Sequence, residues 1–199
     1  QGGGPLIDIG THALDITLWM MNNYEPESVS GQVFYKLGRQ DDGPEGNVFG
    51  PWDPKTFEVE DSAFGLVKMK NGATIYLESS WALNSLDVGE AQTTLHGTNG
   101  GADMKDGLRI NGEADGMMYD KTMVLEPGGV DFYDGSGDDP AYLEAKQWIE
   151  SIQNDTEPVV SPEQALVVTQ ILEAIYQSAK TGAPVYINQH KEELGKILV

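Results

Sequence analysis

Three side chains near the start of the chain have the types and spacing to do chemistry: Asp8, His12 and Asp15. Intervals of four and three residues put them on one stripe of a helix, within about 40° of Asp8 at 100° per residue, with Trp19 on the same line. An ionised aspartate beside an imidazole favours its protonated form and fixes the ring, as a general base and its orienting partner require. Two other readings stand beside that one. The pair can be a structural contact near a helix N-terminus, or half of a divalent-metal site, since Asp and His are good zinc ligands at i, i+4. The remaining histidines, His96 and His190, sit in unrelated contexts and the chain has no cysteine, so no metal is expected.

The element that must carry this stripe is a helix from Leu6 to about Asn22. Pro5 suits its first position, where a missing N–H does no harm, and Asn22-Asn23 can end it in a left-handed turn. Leu14, Leu18 and Met21 fall on one side and Ile9, Ala13, Ile16 and Met20 on the other, so the helix is expected to be largely buried. Its polar groups must then be paired or line a cavity. Gly10 inside it costs about 1 kcal/mol relative to Ala and is expected where another backbone or a ligand approaches closely.

The elements that follow must hold that helix. Strand patterns cover Ser28–Lys36, Phe57–Lys70, Ala73–Ala82 and Ala91–His96, with weaker ones near Leu108–Asn111 and Thr122–Glu126. Asn71-Gly72 predicts a tight hairpin between two of them. A Gly/Pro/Asp-rich loop from Gly38 to Lys55, bearing Phe49 and Trp52, suits either binding or surface packing. Helices are expected over Pro140–Asn154 and from Pro162 to about Lys180. Ser161 caps the latter, Leu166, Ile171, Leu172, Ile175 and Ala179 form its apolar side, and Gly182 ends it. Val185–Ile187 reads as a returning strand, and 188–199 as a tail. The order points to an α+β class: an open, predominantly antiparallel β-sheet with helices packed on one face.

Composition narrows the partners. Among 199 residues, 32 Asp and Glu against 12 Lys and Arg leave a net charge of −20, which repels phosphate backbones and argues against nucleic acid. No window approaches the roughly 18 uncharged apolar residues of a membrane span. Four Trp, eight Tyr and five Phe speak for a packed core rather than disorder. Absent cysteine excludes disulfides, and a soluble, cytoplasmic globular domain is expected. The opening Gln1-Gly2-Gly3-Gly4-Pro5, with no initiator Met and no signal-peptide pattern, reads as the interior of a longer protein.

The run Gly2-Gly3-Gly4-Pro5-Leu6-Ile7-Asp8-Ile9-Gly10-Thr11-His12-Ala13-Leu14-Asp15 resembles the Gly-Gly…Leu-x-Asp-x-Gly-x-His-x-x-Asp signature of the Gfo/Idh/MocA oxidoreductases. Four later segments are similar to that family in the same order. They are Val59–Ala63, the Lys70-Asn71-Gly72-Ala73 hairpin, Leu95–Gly101, and Glu157 through Val185. The resemblance implies a two-domain NAD(P)-dependent dehydrogenase or reductase acting on a sugar or polyol. Residues 1–187 would be its C-terminal substrate-binding and oligomerisation domain, forming a homodimer or homotetramer through the sheet, and the N-terminal Rossmann domain would lie outside this chain. His12 would be the general base. Asp8 would orient His12 and bind substrate, and Asp15, Trp81 and Asn84 would contact substrate. Trp81 suits sugar stacking or core packing alike.

The dinucleotide fingerprint is missing: Gly135-Ser136-Gly137 lacks a third glycine, and Gly97–Gly101 has the wrong spacing. The family's Glu-Lys-Pro segment is missing too. NAD or NADP is therefore expected in the full-length enzyme, with none bound by this fragment, which is expected to be inactive alone. The alternative is a non-catalytic carbohydrate-binding or assembly domain of the same fold.

Overall fold

A computed structural model describes residues 2–40, 52–84, 92–105, 107–122 and 140–187. The chain divides into two compact units, one of residues 1–86 with 163–199 and one of residues 87–162. The expected strands near 123–126, Phe49 and the tail 188–199 lie outside the described residues.

In the first unit a π-helical turn, Leu6–Gly10, runs straight into helix α1, Thr11–Met21. Strands β1 (Pro26–Phe34), β2 (Ser62–Met69) and β3 (Thr74–Ser80) follow, and helix α3 (Pro162–Thr181) leads to the short strand β8 (Val185–Tyr186). The sheet order is β3-β2-β1-β8, with every pairing antiparallel. Residues alternate between its faces. Val29, Ala63, Val67, Ile75 and Leu77 point inward, where Leu6, Leu14 and Leu18 of the first helix and Val168, Ile171, Leu172 and Ile175 of α3 complete the core. Fully burying each such leucine contributes roughly 1.5–3 kcal/mol. The fold is the expected α+β one, with helices on one face of an antiparallel sheet.

Gly31 and Gly65 sit opposite each other on β1 and β2 and form a notch for α3. A Cβ on either would come within 2.7 or 2.6 Å of the Ile175 side chain. The Ser178 hydroxyl accepts the Gly31 N–H at 3.0 Å in the same contact. The buried side of α3 is therefore Val168, Ile171, Leu172, Ala174, Ile175 and Ser178, with Leu166 and Ala179 only half-buried.

The turn signals act as expected at three places. Asn22 ends α1 in the left-handed region at φ 46°, its N–H donating to Leu18 and Trp19 carbonyls. Gly72 takes φ 89° in the β2–β3 hairpin, where Asn71 Oδ1 accepts the Ala73 N–H at 3.0 Å. Gly182, at φ 70°, closes α3 by donating to the Ser178 carbonyl.

The second unit holds a separate antiparallel sheet, β4-β5-β6-β7, and helix α2, Pro140–Asn154. Its strands are β4 (Thr94–His96), β5 (Gly100–Asp103), β6 (Arg109–Ala114) and β7 (Met117–Thr122). Two strands here were not expected: β5 begins at Gly100, immediately after the Gly97–Asn99 turn, and β7 begins at Met117. Asp115-Gly116 joins β6 to β7: both residues adopt positive φ, 54° and 77°, the requirement of a two-residue type I′ hairpin.

Candidate functional site

The first helix is not largely buried. Leu6, Gly10, Leu14, Thr17 and Leu18 face the core, while Ile7, Ile9, Ile16 and, at 61% exposure, Trp19 face outward. The physical cause is one-sided packing: the residues facing the core fall on one arc of the helix at 100° per residue, and the second apolar arc, Ile9 and Ile16, lies on the side turned away from the sheet and α3. The outward arc is the one that carries Asp8 and His12, both exposed, with Asp15 half-buried beside it.

Asp8 finds its partner across the sheet. Trp81, just past the end of β3, donates its indole N–H to Asp8 Oδ2 at 2.9 Å. The Trp81 ring is steadied by an edge contact with Phe57, ring centroids 6.3 Å apart, and stays 42% exposed. A hydrogen bond to an ionised acceptor is about twice as strong as a neutral one, so this contact ties the helix to the end of β3. His12 lies one turn past Asp8, and among the described residues neither a hydrogen bond nor an ion pair joins the two. Asp15 faces Tyr24, whose hydroxyl pKa is pushed up first by burial and then by the Asp15 charge. Asn84 is exposed, three residues beyond Trp81. Trp52 donates its indole N–H to the Gly38 carbonyl at 2.8 Å. Two expected site residues, Asp8 and Trp81, are thus in direct contact, and His12 shares their surface.

Gly10 owes its place to a close approach. A Cβ there would lie 3.3 Å from Leu6 Cδ1 and from both side-chain atoms of Ser79. Ser79 in turn donates its hydroxyl to the Pro5 carbonyl at 2.5 Å, anchoring the helix start to β3.

Beneath this surface lie two acidic residues that motif reasoning left out of the site. Glu60 and Asp61 are each 2% exposed. Glu60 Oε1 accepts the Leu6 N–H at 3.1 Å and the Tyr176 hydroxyl at 2.8 Å. Burial, followed by the Glu60 hydrogen bond and charge, holds the Tyr176 hydroxyl well above the usual phenol range. Asp61 Oδ2 accepts three successive backbone N–H groups, Lys36 at 2.5 Å, Leu37 at 2.7 Å and Gly38 at 3.1 Å. The only signal available in sequence was an acidic pair at the entrance to a strand.

Among the described residues no group of three or more His, Asp or Glu is placed to hold a metal ion. The Gly97–Gly101 segment leads from β4 into β5 rather than into a helix, so its amides do not form a phosphate cradle at a helix start. Gly135–Gly137 lies outside the described residues. In the second unit a polar groove is lined by His96, Arg109, Asn111 and Asp120, but its Arg109 is engaged by Asp103 at 2.9 Å.

Exposed Asp8 retains lone pairs for a hydroxyl donor, His12 can accept a proton, and the Trp81 ring can lie against an apolar sugar face. Comparison with known proteins accords with such a surface. The D-glucoside 3-dehydrogenase of Escherichia coli (strain K12) is 33% identical over 189 residues, covering 93% of this chain and 49% of the relative. The chain thus spans about half the length of the curated relative it matches. Aldose-aldose oxidoreductase from Caulobacter crescentus, solved with glycerol, has a TM-score of 0.64 at 22% identity, covering 94% of this chain and 48% of the other. An oxidoreductase domain protein from Kribbella flavida has a TM-score of 0.70 at 18% identity, covering 94% and 52%. At those identities the two structures establish the fold. Residues 1–187 match the family described as "Oxidoreductase family, C-terminal alpha/beta domain", and the chain belongs to that family, the Gfo/Idh/MocA oxidoreductases, as its C-terminal domain.

Proposed function

We propose that residues 1–187 are the substrate-binding and oligomerisation domain of an NAD(P)-dependent dehydrogenase or reductase acting on a sugar or polyol. The supporting observation is the exposed Asp8–Trp81 contact at 2.9 Å, with His12 on the same helix, in a chain one-third identical to a D-glucoside 3-dehydrogenase. In the oxidising direction His12 accepts the proton of a substrate hydroxyl, the C–O bond becomes a carbonyl, and the hydride on that carbon leaves. The cofactor supplies the redox chemistry when bound, and we assign its dinucleotide body to a part of the protein other than residues 1–199. Asp8 binds a neighbouring hydroxyl, with Trp81 holding Asp8 and offering its ring face to the sugar. Asp15 and Asn84 are assigned to the periphery of the same subsite. We place the enzyme in the cytoplasm, an assignment supported by a cysteine-free chain; among the described residues no helix is long and apolar enough to cross a membrane.

The outer face of the first sheet is the proposed oligomer surface. Phe34, Leu66, Tyr76 and Tyr186 are all exposed there, and Phe34 packs edge-on against Phe64 at 5.9 Å. Exposed aromatic and apolar side chains set among polar ones such as Ser30 and Gln32 on one sheet face suit a two-fold, self-complementary contact. The reaction is tested by following NADH or NADPH formation by the full-length protein across a panel of glucosides, aldoses and polyols. Turnover of at least one class is expected. A protein that binds cofactor and sugar yet turns over none of them would contradict the enzyme reading in favour of a carbohydrate-binding domain.

A further inference from the structure

Glu60 is a buried carboxyl, and burying one is costly unless hydrogen bonds satisfy it. Among the described residues it forms no ion pair, and its recorded donors are one backbone amide and one phenol. Those two donors are informative. Leu6 is the first residue of the π-helical turn, so the Glu60–Leu6 bond satisfies an amide at the very start of the helix that carries Asp8 and His12. Gly4 leaves the space for it: a Cβ there would lie 2.3 Å from Glu60 Cδ and 2.4 Å from its carbonyl oxygen. Tyr176, from the middle of α3, braces the same carboxyl oxygen from the core side. The adjacent residue holds the opposite partner, because the Trp81 backbone N–H donates to the Asp61 carbonyl at 3.0 Å. One dipeptide therefore grips both ends of the Asp8–Trp81 contact.

We propose that Glu60 is a positioning residue: its carboxyl, braced by Tyr176, sets the first turn of the helix so that Asp8 meets the Trp81 indole. The assignment rests on reading Asp8, His12 and Trp81 as the substrate site. Folding calls for an acceptor at this point, since the buried Leu6 N–H and the Tyr176 hydroxyl would otherwise lose their partner, but it does not call for a charge. An oxygen acceptor is needed to fix the register of the turn, and the register decides where Asp8 points.

The test is fluorine NMR on the full-length protein labelled with 5-fluorotryptophan, with the Trp81 line identified by its loss in Trp81→Phe. In Glu60→Ala the Trp81 line is expected to move in the direction it takes in Asp8→Asn. In Glu60→Gln, which keeps an oxygen for Leu6 and Tyr176, it returns toward its wild-type position. Sugar oxidation in Glu60→Ala is expected to fall in kcat/KM by about ten-fold or more, since small misplacements at a site cost that much, and to recover in Glu60→Gln. A folded Glu60→Ala protein whose Trp81 line stays in place overturns the proposal. Should that variant fail to fold, Tyr176→Phe decides instead. Its Trp81 line must move the same way by a smaller amount, and an unmoved line overturns the proposal. The NMR readout needs no turnover. A moved line in a protein that oxidises no sugar leaves the positioning role standing and removes the dehydrogenase reading, and an unmoved line in an active enzyme does the reverse.

Discussion

Asp8 is held by an indole from 73 residues further along the chain rather than by the histidine one turn away on its own helix. That arrangement leaves the His12 imidazole exposed, while the acid keeps one fixed hydrogen bond and room for another. The buried residues below supply a second prediction. The Tyr176 hydroxyl has its pKa raised in the folded protein, so the folded state holds its proton more tightly than the unfolded chain does. That contribution is complete below the unfolded phenol value of about 10 and is lost as pH climbs above it. Tyr24 shifts in the same direction and is common to both proteins compared. Chemical unfolding at pH 8 through 11 should find the wild type losing more stability above about pH 10 than Tyr176→Phe; equal losses would contradict the assignment of that shift to Tyr176. At this scale the spacing of Asp8 and His12 was legible because it is local. The Trp81 and Glu60 partners were not, because each contact depends on which strand the helix start lies against.

At the scale of elements, the Gly31–Gly65 notch sets how closely α3 approaches the sheet. Gly65→Ala places a methyl 2.6 Å from Ile175 Cδ1, whereas Gly31→Ala meets Ile175 Cγ2 at 2.7 Å and its Cα at 3.0 Å. Both should destabilise by about 1–3 kcal/mol through overpacking. Ile175→Val removes Cδ1 alone, so it should restore part of the loss in Gly65→Ala and little in Gly31→Ala. Thermal unfolding of the single and double variants measures this, and equal rescue of both would contradict the packing described. The helices and the first sheet could be read from periodicity and turn residues, and Asn71-Gly72 identified its hairpin. Asp115-Gly116 carried an equally clear turn signal, but the polar strands on either side, with exposed Met117, Met118 and Lys121, offer no alternation to frame it. The wheel shows two apolar arcs on the first helix and not which of them meets the sheet, which is why the helix was expected to be buried and instead presents Ile9, Ile16 and Trp19.

At the scale of the whole molecule, the chain is the C-terminal domain of an oxidoreductase family, and about half of a 33% identical relative lies outside the match. The proposed oligomer surface makes a direct prediction. Leu66→Glu together with Tyr76→Lys places charges on adjacent strands of the exposed face, where Leu66 and Tyr76 are cross-strand partners. Light scattering should find the full-length variant at a lower mass than the wild type, with stability of the fold itself changed by only about 0.5 kcal/mol per surface site. An unchanged oligomeric mass would place the interface elsewhere.

In the proposed reaction His12 accepts the substrate proton. The most direct test of this is the steady-state rate of sugar-dependent NAD(P)H formation by full-length wild-type protein and by His12→Asn, with folding of both checked by circular dichroism. A kcat at least about 100-fold lower is expected in the variant, the usual worth of a general base, with sugar binding retained. A folded His12→Asn protein with wild-type kcat would contradict it.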